Sequence, residues 1–379
     1  MRQTPAPASM ASAPSLSRRQ CLQASAALAL GPVAGVSWAQ ARNFTPQPGR
    51  WRTFEVTTRV KIVEAREATR VWLPIPSIDS DYQRSLQSTW TGNATSARIL
   101  TEPVYGARML YAEFGSSSPA PELVLTSRVQ TQDRAVDWSQ ALAPAADAQE
   151  LAQWTRPTEL MPTDGIVLDT ARSATRWAWS DEAKVRKLYD WVVSHTHRDP
   201  KVKGCGTGDI KTMLETGNLG GKCGDVNALF VGLCRSLDIP ARDVYGLRIA
   251  PSAFGYRELG GNPAKLQSAQ HCRAEVWLKE HGWVAMDPAD VGKVMRQESA
   301  EWIKDERHPL VAPVKRGLFG GWEGNWMAFN TAHDVKLPES DGPVLGFFMY
   351  PQAENANGRY DALDPENFSY TISATEVSA

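Results

Sequence analysis

Hydrophobic and polar residues alternate along several short segments in the first third of the chain. Four segments show this pattern: residues 51–63, 71–75, 108–114 and 122–129. Clusters of Gly, Pro, Ser and Asn separate these segments, as expected for turns. A period of two is typical of β-strands that bury one face. Residues 50–130 are therefore predicted to form an all-β module, and a sandwich is the simplest arrangement.

The pattern becomes helical after about residue 165. Four hydrophobic residues behind the N-cap candidate Ser180 repeat at helical spacing: Val185, Leu188, Tyr189 and Val192. A second stripe precedes Pro240, which stops a helix. Its members are Val226, Leu229, Phe230, Leu233 and Leu237. These two stripes predict two amphipathic helices in this part of the chain.

Strand-like segments follow the second helix. They lie at residues 241–250, 271–279 and 283–287. The arginines of the first segment, Arg242 and Arg248, are expected to be solvated strand ends. Residues 165–305 are therefore predicted to have an α+β fold. The last 70 residues, rich in Trp, Phe, Gly and Pro, are predicted to form extended segments or short strands.

The first 41 residues have the composition of an export signal. They contain three arginines and no acidic residue, and residues 24–36 form an uncharged, alanine-rich segment. That segment is too short for a membrane-spanning helix, which needs about 20 residues. Residues 39–41 (Ala-Gln-Ala) match a signal-peptidase site, and the Arg18–Arg19 pair resembles a twin-arginine signal. We expect a periplasmic protein with no membrane anchor after cleavage.

The composition excludes two classes of protein. The 379 residues include 41 basic and 42 acidic side chains, so 38 basic side chains remain after cleavage and the net charge becomes about −4 (38 − 42). Such a chain lacks the basic face that nucleic-acid binding requires. Five cysteines are too few for a disulfide scaffold of this size.

The chain is expected to have four parts. They are a signal (1–41), a β-rich domain (42–160), a catalytic core (161–305) and a β/loop extension (306–379).

Cys223 lies in a sequence that favours a reactive thiolate. Gly220–Gly221 permits a tight turn, which places Cys223 in the first turn of the second predicted helix. Unpaired N–H groups and the helix dipole at this end lower the pKa of a thiol, as does the neighbouring Lys222. Asp225 acts in the opposite direction. The same N–H groups can bind an oxyanion. The alternative is a small buried residue at a helix start.

A nucleophilic thiolate needs a proton acceptor, and His271 is the best-placed histidine. It opens a strand whose apolar face begins at Cys272, so His271 lies on the opposite face. The next strand ends at Asp287. If residues 279–281 form a loop of odd length, Asp287 lies opposite Arg273 and diagonal to His271, within reach of a His–Asp hydrogen bond. The alternative for Asp287 is an ordinary turn residue at a strand end.

Five motifs together resemble the transglutaminase-like superfamily over residues 180–295. They are Gly221–Cys223, Ala228–Leu233, Leu237–Arg242, His271–Trp277 and His281–Pro288. The resemblance implies a papain-like α+β core in which Cys223 is the nucleophile, His271 the base and Asp287 the orienting acid. Cys272 and Arg273 depart from the commoner Ala-Trp pair after the histidine. The resemblance does not map an oxyanion-hole partner.

Three residues are candidates for that partner or for the cleft wall: Asn218, Trp191 and Trp283. The chemistry that the resemblance implies is acyl transfer through a thioester, without a cofactor. Water as the acceptor gives a cysteine protease or amidase, which we favour, and an amine gives a cross-linking transglutaminase. The expected substrate is a protein or peptide, including peptides of the cell envelope.

Four other interpretations stay open. A zinc site is one, because zinc binds His and Cys and four such residues are close in sequence: His195, His197, Cys205 and Cys223. A disulfide between Cys205 and Cys272 is the second. The third is a cofactor-dependent acyltransferase, since arylamine acetyltransferases share the Gly-Gly-x-Cys turn, although they are cytoplasmic. The fourth is an envelope binding module that retains the fold without turnover.

Overall fold

The structure is a computed structural model that describes residues 1, 4, 42–62, 67–116, 120–142, 145, 147–366 and 368–378. The predicted export signal occupies residues 1–41 and therefore lies outside the described residues, apart from its first and fourth positions. None of the helices within the described ranges has the length and apolar character needed to cross a bilayer.

The alternating segments between residues 50 and 130 form parts of two antiparallel sheets. The first sheet contains, in spatial order, β19 (Ser369–Val377), β1 (Arg52–Lys61), β6 (Glu122–Thr131) and β3 (Gln83–Gly92). The second contains β18 (Gly358–Arg359), β17 (Gln352–Asn355), β2 (Thr69–Pro74), β5 (Arg108–Phe114) and β4 (Ser96–Thr101).

The two sheets share a buried core. Val60 of β1 and Leu123 of β6 pack in one cluster with Val71 of β2 and Leu110 of β5, and each is at most 1% exposed. These residues come from the alternating positions that the sequence singles out, and Phe368 joins them from the C-terminal region. The predicted β-rich, sandwich-like N-terminal region is thus confirmed.

The α+β part is built around a four-stranded antiparallel sheet. Its strands, in spatial order, are β12 (Gly282–Met286), β11 (Gln270–Leu278), β10 (Ala241–Arg248) and β14 (Trp326–Asn330). Short pairs accompany it: β8 (His197–Arg198) with β9 (Gly220–Gly221), β7 (Arg134–Ala135) with β13 (Gly321–Trp322), and β15 (His333–Val335) with β16 (Leu345–Phe347). A 3₁₀ turn spans Arg257–Leu259.

Seven α-helices lie within the described residues. They are α1 (Ala148–Gln153), α2 (Gly165–Ala174), α3 (Asp181–His195), α4 (Ile210–Thr216), α5 (Cys223–Arg235), α6 (Pro288–Gln297) and α7 (Ala312–Gly317). Ser180 caps α3 as predicted, because its side chain accepts a hydrogen bond from the N–H of Ala183. Every residue of α5 is buried, so this helix forms the centre of the core and packs on β10, β11 and α6.

The C-terminal region completes sheets that begin elsewhere in the chain. β14 extends the core sheet next to β10, while β17 and β19 pair with β2 and β1. The extended character predicted for this region is therefore present. The boundaries proposed at residues 160 and 305 stay predictions.

Candidate active site

Cys223 is the first residue of α5, and a carboxylate two positions later holds the turn before it. Asp225 accepts hydrogen bonds from the backbone N–H groups of Lys222 at 2.9 Å, Thr207 at 2.9 Å and Gly208 at 3.0 Å. These three bonds tie the start of α5 to the loop that precedes α4. Asp225 therefore fixes the position of the thiol.

The turn requires glycine and leaves one backbone donor free. A Cβ on Gly221 would lie 2.6 Å from the Cβ of Asp225, closer than two such atoms can approach. The N–H of Gly224 donates to the Cys205 carbonyl at 2.8 Å, whereas the N–H of Cys223 has no acceptor among the described residues. This N–H lies at the positive end of α5 and can bind an oxyanion.

β11 and β12 form the predicted hairpin in the predicted register. Ala274 pairs with Met286, which makes Arg273 and Asp287 the next opposing positions. His271 lies two residues further along the same face, and its Nε2 is 2.7 Å from Oδ2 of Asp287. The odd-length loop thus brings histidine and aspartate together without a bulge.

Asp287 is completely buried and is held by both the sheet and the helices. It caps α6, since Oδ1 accepts a hydrogen bond from the N–H of Asp290 at 3.1 Å. The same oxygen lies 3.3 Å from Nδ2 of Asn227, whose amide also donates to the carbonyl of Cys272 at 2.8 Å. Asn227 belongs to α5, so one amide side chain connects the helix of Cys223 to Asp287.

A second carboxylate faces the same ring nitrogen of His271. Oδ2 of Asp290 lies 3.3 Å from Nε2, and Oδ1 is 2.6 Å from a guanidinium nitrogen of Arg248. Burial and the Arg248 charge lower the pKa of His271, but Asp290 and Asp287 outweigh them and raise it to about 9. His271 is therefore an imidazolium at neutral pH. Its other ring nitrogen, Nδ1, is left for the thiol.

Cys223 shares its surroundings with two further thiols. The sulfur atoms of Cys205, Cys223 and Cys272 all lie within 4.8 Å of one another, and all three side chains are buried. Hydrogen bonds with Cys205 and Cys272 lower the pKa of Cys223; burial opposes them, and a hydrogen bond with His271 adds to the lowering. The pKa of Cys205 is raised, chiefly through Cys223, and that of Cys272 chiefly through burial. Of the three thiols, Cys223 is thus the one whose thiolate form is favoured.

Two groups of described side chains have the spacing of metal ligands. One consists of the three thiols and the other of His271, Asp287 and Asp290. Soft thiolates suit zinc or Cu(I). His195 stacks on Trp191 and His197 lies against Trp302, so neither belongs to these groups. The structure therefore does not assemble the four-residue zinc site considered from the sequence. The four cysteines it describes are free thiols.

An open cavity of about 600 Å³ leads to Cys223 and His271. The aromatic residues Tyr350, Phe368 and Tyr370 form part of its wall, and they come from the C-terminal region. A cavity of this size suits a ligand of several residues or a small molecule. Cys223 and His271 are buried, yet a ligand can reach them through this opening.

The three predicted cleft candidates lie outside the lining of this cavity. Trp191 stacks on the ring of His195 with 4.4 Å between centroids, on the exposed end of α3. Asn218 is exposed and accepts a hydrogen bond from the turn that follows it. Trp283 lies under the guanidinium of Arg242, 3.9 Å from its ring centroid. The structure does not bring these side chains to the thiol.

The sequence analysis does not identify two residues of this site, Arg248 and Asp290. Arg248 was expected at a solvated strand end; this is wrong, because it is 3% exposed and bonds Asp290. Nothing in the local pattern marks it, since its partner lies 42 positions away. Asp290 could have been found from the sequence. It follows Asp287 by three positions at the start of a helix, and residues with this spacing lie on the same face.

Comparison with known proteins agrees with this geometry. The family model of the transglutaminase-like superfamily core matches residues 168–288. A protein of Haemophilus influenzae (strain KW20/Rd), described as uncharacterized, is 33% identical over 318 residues, covering 80% of this chain and 85% of that protein. The chain belongs to the transglutaminase-like superfamily.

Solved structures with a related fold are more distant. A Cytophaga hutchinsonii protein, described as a candidate cysteine protease, is 16% identical with a TM-score of 0.47, over 87% of this chain and 99% of that chain. The periplasmic domain of TgpA from Pseudomonas aeruginosa is 14% identical with a TM-score of 0.35, over 68% and 96%. Likenesses this distant say nothing about activity.

Proposed function

We propose that this chain is an exported enzyme that cleaves peptide or carboxamide bonds through a thioester on Cys223. The observation that supports it is a thiol with a lowered pKa at a helix N-terminus, in contact with His271. His271 is in turn hydrogen-bonded to Asp287 at 2.7 Å. In this arrangement Cys223 is the nucleophile, His271 donates and accepts the proton, and Asp287 orients the ring.

Acylation uses the ion pair directly. The Cys223 thiolate attacks the carbonyl carbon, and the negative charge that develops on oxygen faces the free N–H of Cys223. The His271 imidazolium then donates its proton to the leaving nitrogen as the C–N bond breaks. The products of this half-reaction are a free amine, a thioester on Cys223 and a neutral His271.

Deacylation reverses the direction of proton transfer. Neutral His271 accepts a proton from water while the water oxygen attacks the thioester carbon. Breaking the C–S bond releases a carboxylic acid and restores the thiolate–imidazolium pair. We propose water as the acceptor. An amine in the same position would give a cross-link.

The proposed location is the periplasm. The basic, alanine-rich sequence of residues 1–41 supports export, and its paired arginines favour the twin-arginine route. Peptides of the cell envelope are therefore the proposed substrates.

A thiol-directed activity probe tests the proposal on the mature protein. We expect labelling of the wild type at Cys223, with loss of labelling in Cys223→Ala and a strong reduction in His271→Ala. Cys234→Ala is the matched control, because Cys234 is a buried cysteine on the same helix and lies outside the thiol cluster. Labelling that persists in Cys223→Ala, or that needs Cys234, would contradict the assignment.

Incubation with envelope extract identifies the acyl acceptor. Peptide mass spectrometry of wild type against Cys223→Ala should reveal new peptide termini for hydrolysis, or new linked peptides for cross-linking. If labelled, folded protein produces neither change, the chain is a binding module with a reactive thiol and the enzymatic proposal fails.

A further inference from the structure

The cavity beside Cys223 is strongly basic. Among its lining residues are six arginine and lysine side chains and no aspartate or glutamate. The six are Arg198, Lys203, Lys222, Arg248, Lys265 and Lys293. This local excess contrasts with a chain whose formal net charge is −1. The basic residues are thus concentrated where a substrate would bind.

Two of the six already have carboxylate partners within the fold. Arg248 bonds Asp290 at 2.6 Å, and the ammonium of Lys293 lies 3.5 Å from a carboxylate oxygen of Glu258. Lys203 and Lys265 are exposed at the rim. Their charges can attract an anion from solution, but water screens them.

Arg198 and Lys222 are different. Both are half-buried, and neither has a carboxylate within 4.0 Å among the residues that the structure describes. Nε of Arg198 is buried without a hydrogen-bond partner. Burial, followed by the charge of Arg198, lowers the pKa of Lys222, and the opposing effects of Cys205, Cys223 and then Asp199 do not cancel this lowering. Two cations therefore repel each other beside the nucleophile, with unused donors. An anion between them would relieve that repulsion and satisfy the donors.

We propose, resting on the proposed function, that this cavity selects peptide substrates that carry a carboxylate close to the scissile bond, and that Arg198 and Lys222 bind that carboxylate. The carboxylate can come from an acidic side chain or from the free C-terminus of a short peptide. Both sources offer the same planar pair of oxygens, which suits a guanidinium and an ammonium.

Selectivity among matched peptides tests this proposal. One series differs only by Glu, Gln or Lys next to the scissile bond, with an amidated C-terminus. A second series keeps Gln and compares a free C-terminal acid with the amide. We expect the wild type to prefer at least one carboxylate-bearing peptide by about tenfold in kcat/KM, the size of a charge-assisted contact. The series in which the preference appears identifies the source of the carboxylate.

Variants of the two cations must remove that preference. Arg198→Gln and Lys222→Gln should each reduce the Glu:Gln ratio towards one, and Lys222→Glu should favour the Lys peptide. Ratios are compared because a charge next to Cys223 also changes the overall rate. Lys211→Gln is the control, as Lys211 is exposed on α4 and lies outside the cavity. Equal rates for all peptides in the wild type would overturn the inference and leave the proposed function intact.

Alkylation of Cys223 provides a measurement that does not depend on turnover. Iodoacetate is an anion and iodoacetamide is its neutral analogue, so their rate ratio reports the charge of the cavity. We expect the wild-type ratio to exceed that of the Arg198→Gln/Lys222→Gln double variant by about tenfold. A ratio that the double variant leaves unchanged would overturn the inference, even if no peptide is hydrolysed.

Discussion

The two ends of β11 carry buried charges on the same face, but they are compensated in different ways. At one end, Glu275 is 1% exposed and lies between the guanidinium groups of Arg134 and Arg242, with 2.7 Å to the latter. At the other end, one ring nitrogen of His271, Nε2, faces two carboxylates, Asp287 and Asp290. The first cluster contains charges that all persist at neutral pH, whereas the second contains a histidine whose charge can change near pH 9.

The pKa directions express that difference. Burial raises the pKa of Glu275, but Arg242 and Arg134 outweigh it, so the group stays ionised and its pKa is lowered. The pKa of His271 is raised to about 9, within the range that an enzyme can use. The buried Glu275 cluster, which stays ionised at neutral pH, stabilises the sheet. The buried His271, whose pKa lies near 9, is the group that we propose exchanges a proton in the reaction. Substitutions in the two clusters should therefore affect activity and stability differently.

Asp287→Asn should give the largest effect, on activity. The amide cannot stabilise the imidazolium, so we expect kcat/KM to fall by about 10³–10⁴-fold, or roughly 4–5.5 kcal/mol. Asparagine is as good an N-cap as aspartate, so α6 should remain capped. Steady-state kinetics and thermal unfolding measure the two quantities. A drop in Tm without a drop in kcat/KM would give Asp287 the structural role instead.

Glu275→Gln should reduce stability and leave activity unchanged. It leaves two largely buried guanidinium groups without their shared carboxylate, so we expect a loss of about 3 kcal/mol of unfolding free energy. Activity per folded molecule should be unchanged, because Glu275 does not line the cavity.

Urea unfolding at several pH values sharpens this second prediction. The pKa of Glu275 is lowered in the folded state, so its contribution is present above the unfolded pKa of about 4.3 and is lost as the pH falls through the folded value. The difference between wild type and variant should therefore shrink in acid. A constant difference would mean that the charge of Glu275 is not its source.

Asp290→Asn should have a smaller effect, visible in the pH profile. This carboxylate helps raise the pKa of His271, so without it the imidazolium deprotonates at lower pH. We expect the alkaline limb of kcat/KM, near pH 9 in the wild type, to move down by about one unit. Activity at pH 7 should fall by less than about tenfold.

The charge of Arg248 provides a control for this shift. Arg248 lowers the pKa of His271, so the Arg248→Met/Asp290→Asn double variant should bring the alkaline limb back towards the wild type. A limb that stays low in the double variant would mean that Asp290 acts through structure and not through its charge.

The smallest effect is expected for an exposed pair. Arg52 of β1 and Glu376 of β19 lie 2.7 Å apart in a partly exposed position. Glu376→Gln should reduce the unfolding free energy by less than about 1 kcal/mol, since water compensates for the lost charge. Urea denaturation measures it. A loss as large as that of Glu275→Gln would show that burial does not separate the two kinds of pair.

Local sequence patterns are sufficient to predict the helix and the hairpin that hold the proposed catalytic residues. The glycine turn predicts Cys223 at the start of α5, and a hairpin loop of odd length, if formed, puts His271 within reach of Asp287, as the structure has it. Both depend on neighbours in sequence, where spacing fixes geometry. The edge strands β3 and β4 are missed because their residues are mostly polar or half-exposed and show no apolar alternation.

Contacts between distant segments are harder to predict. The clustering of Cys205 with Cys223 and Cys272 depends on a loop packing against α5 and β11, which no periodicity reveals. Arg198 enters the cavity from β8, far from the motifs around the thiol. A single sequence identifies the proposed catalytic residues, but it does not identify the side chains that surround them through tertiary packing.

The pairing of β1 with β19 has a consequence for how the chain matures. Arg52 and Glu376, partners across these strands, are 324 positions apart, so one edge of β1 stays open until the residues of β19 have been synthesised. Closing so long a loop is slow, and an uncovered edge invites association with other chains. The nine-residue strand β19 covers this edge, and a ribosome-bound or truncated chain that lacks it should be prone to aggregation.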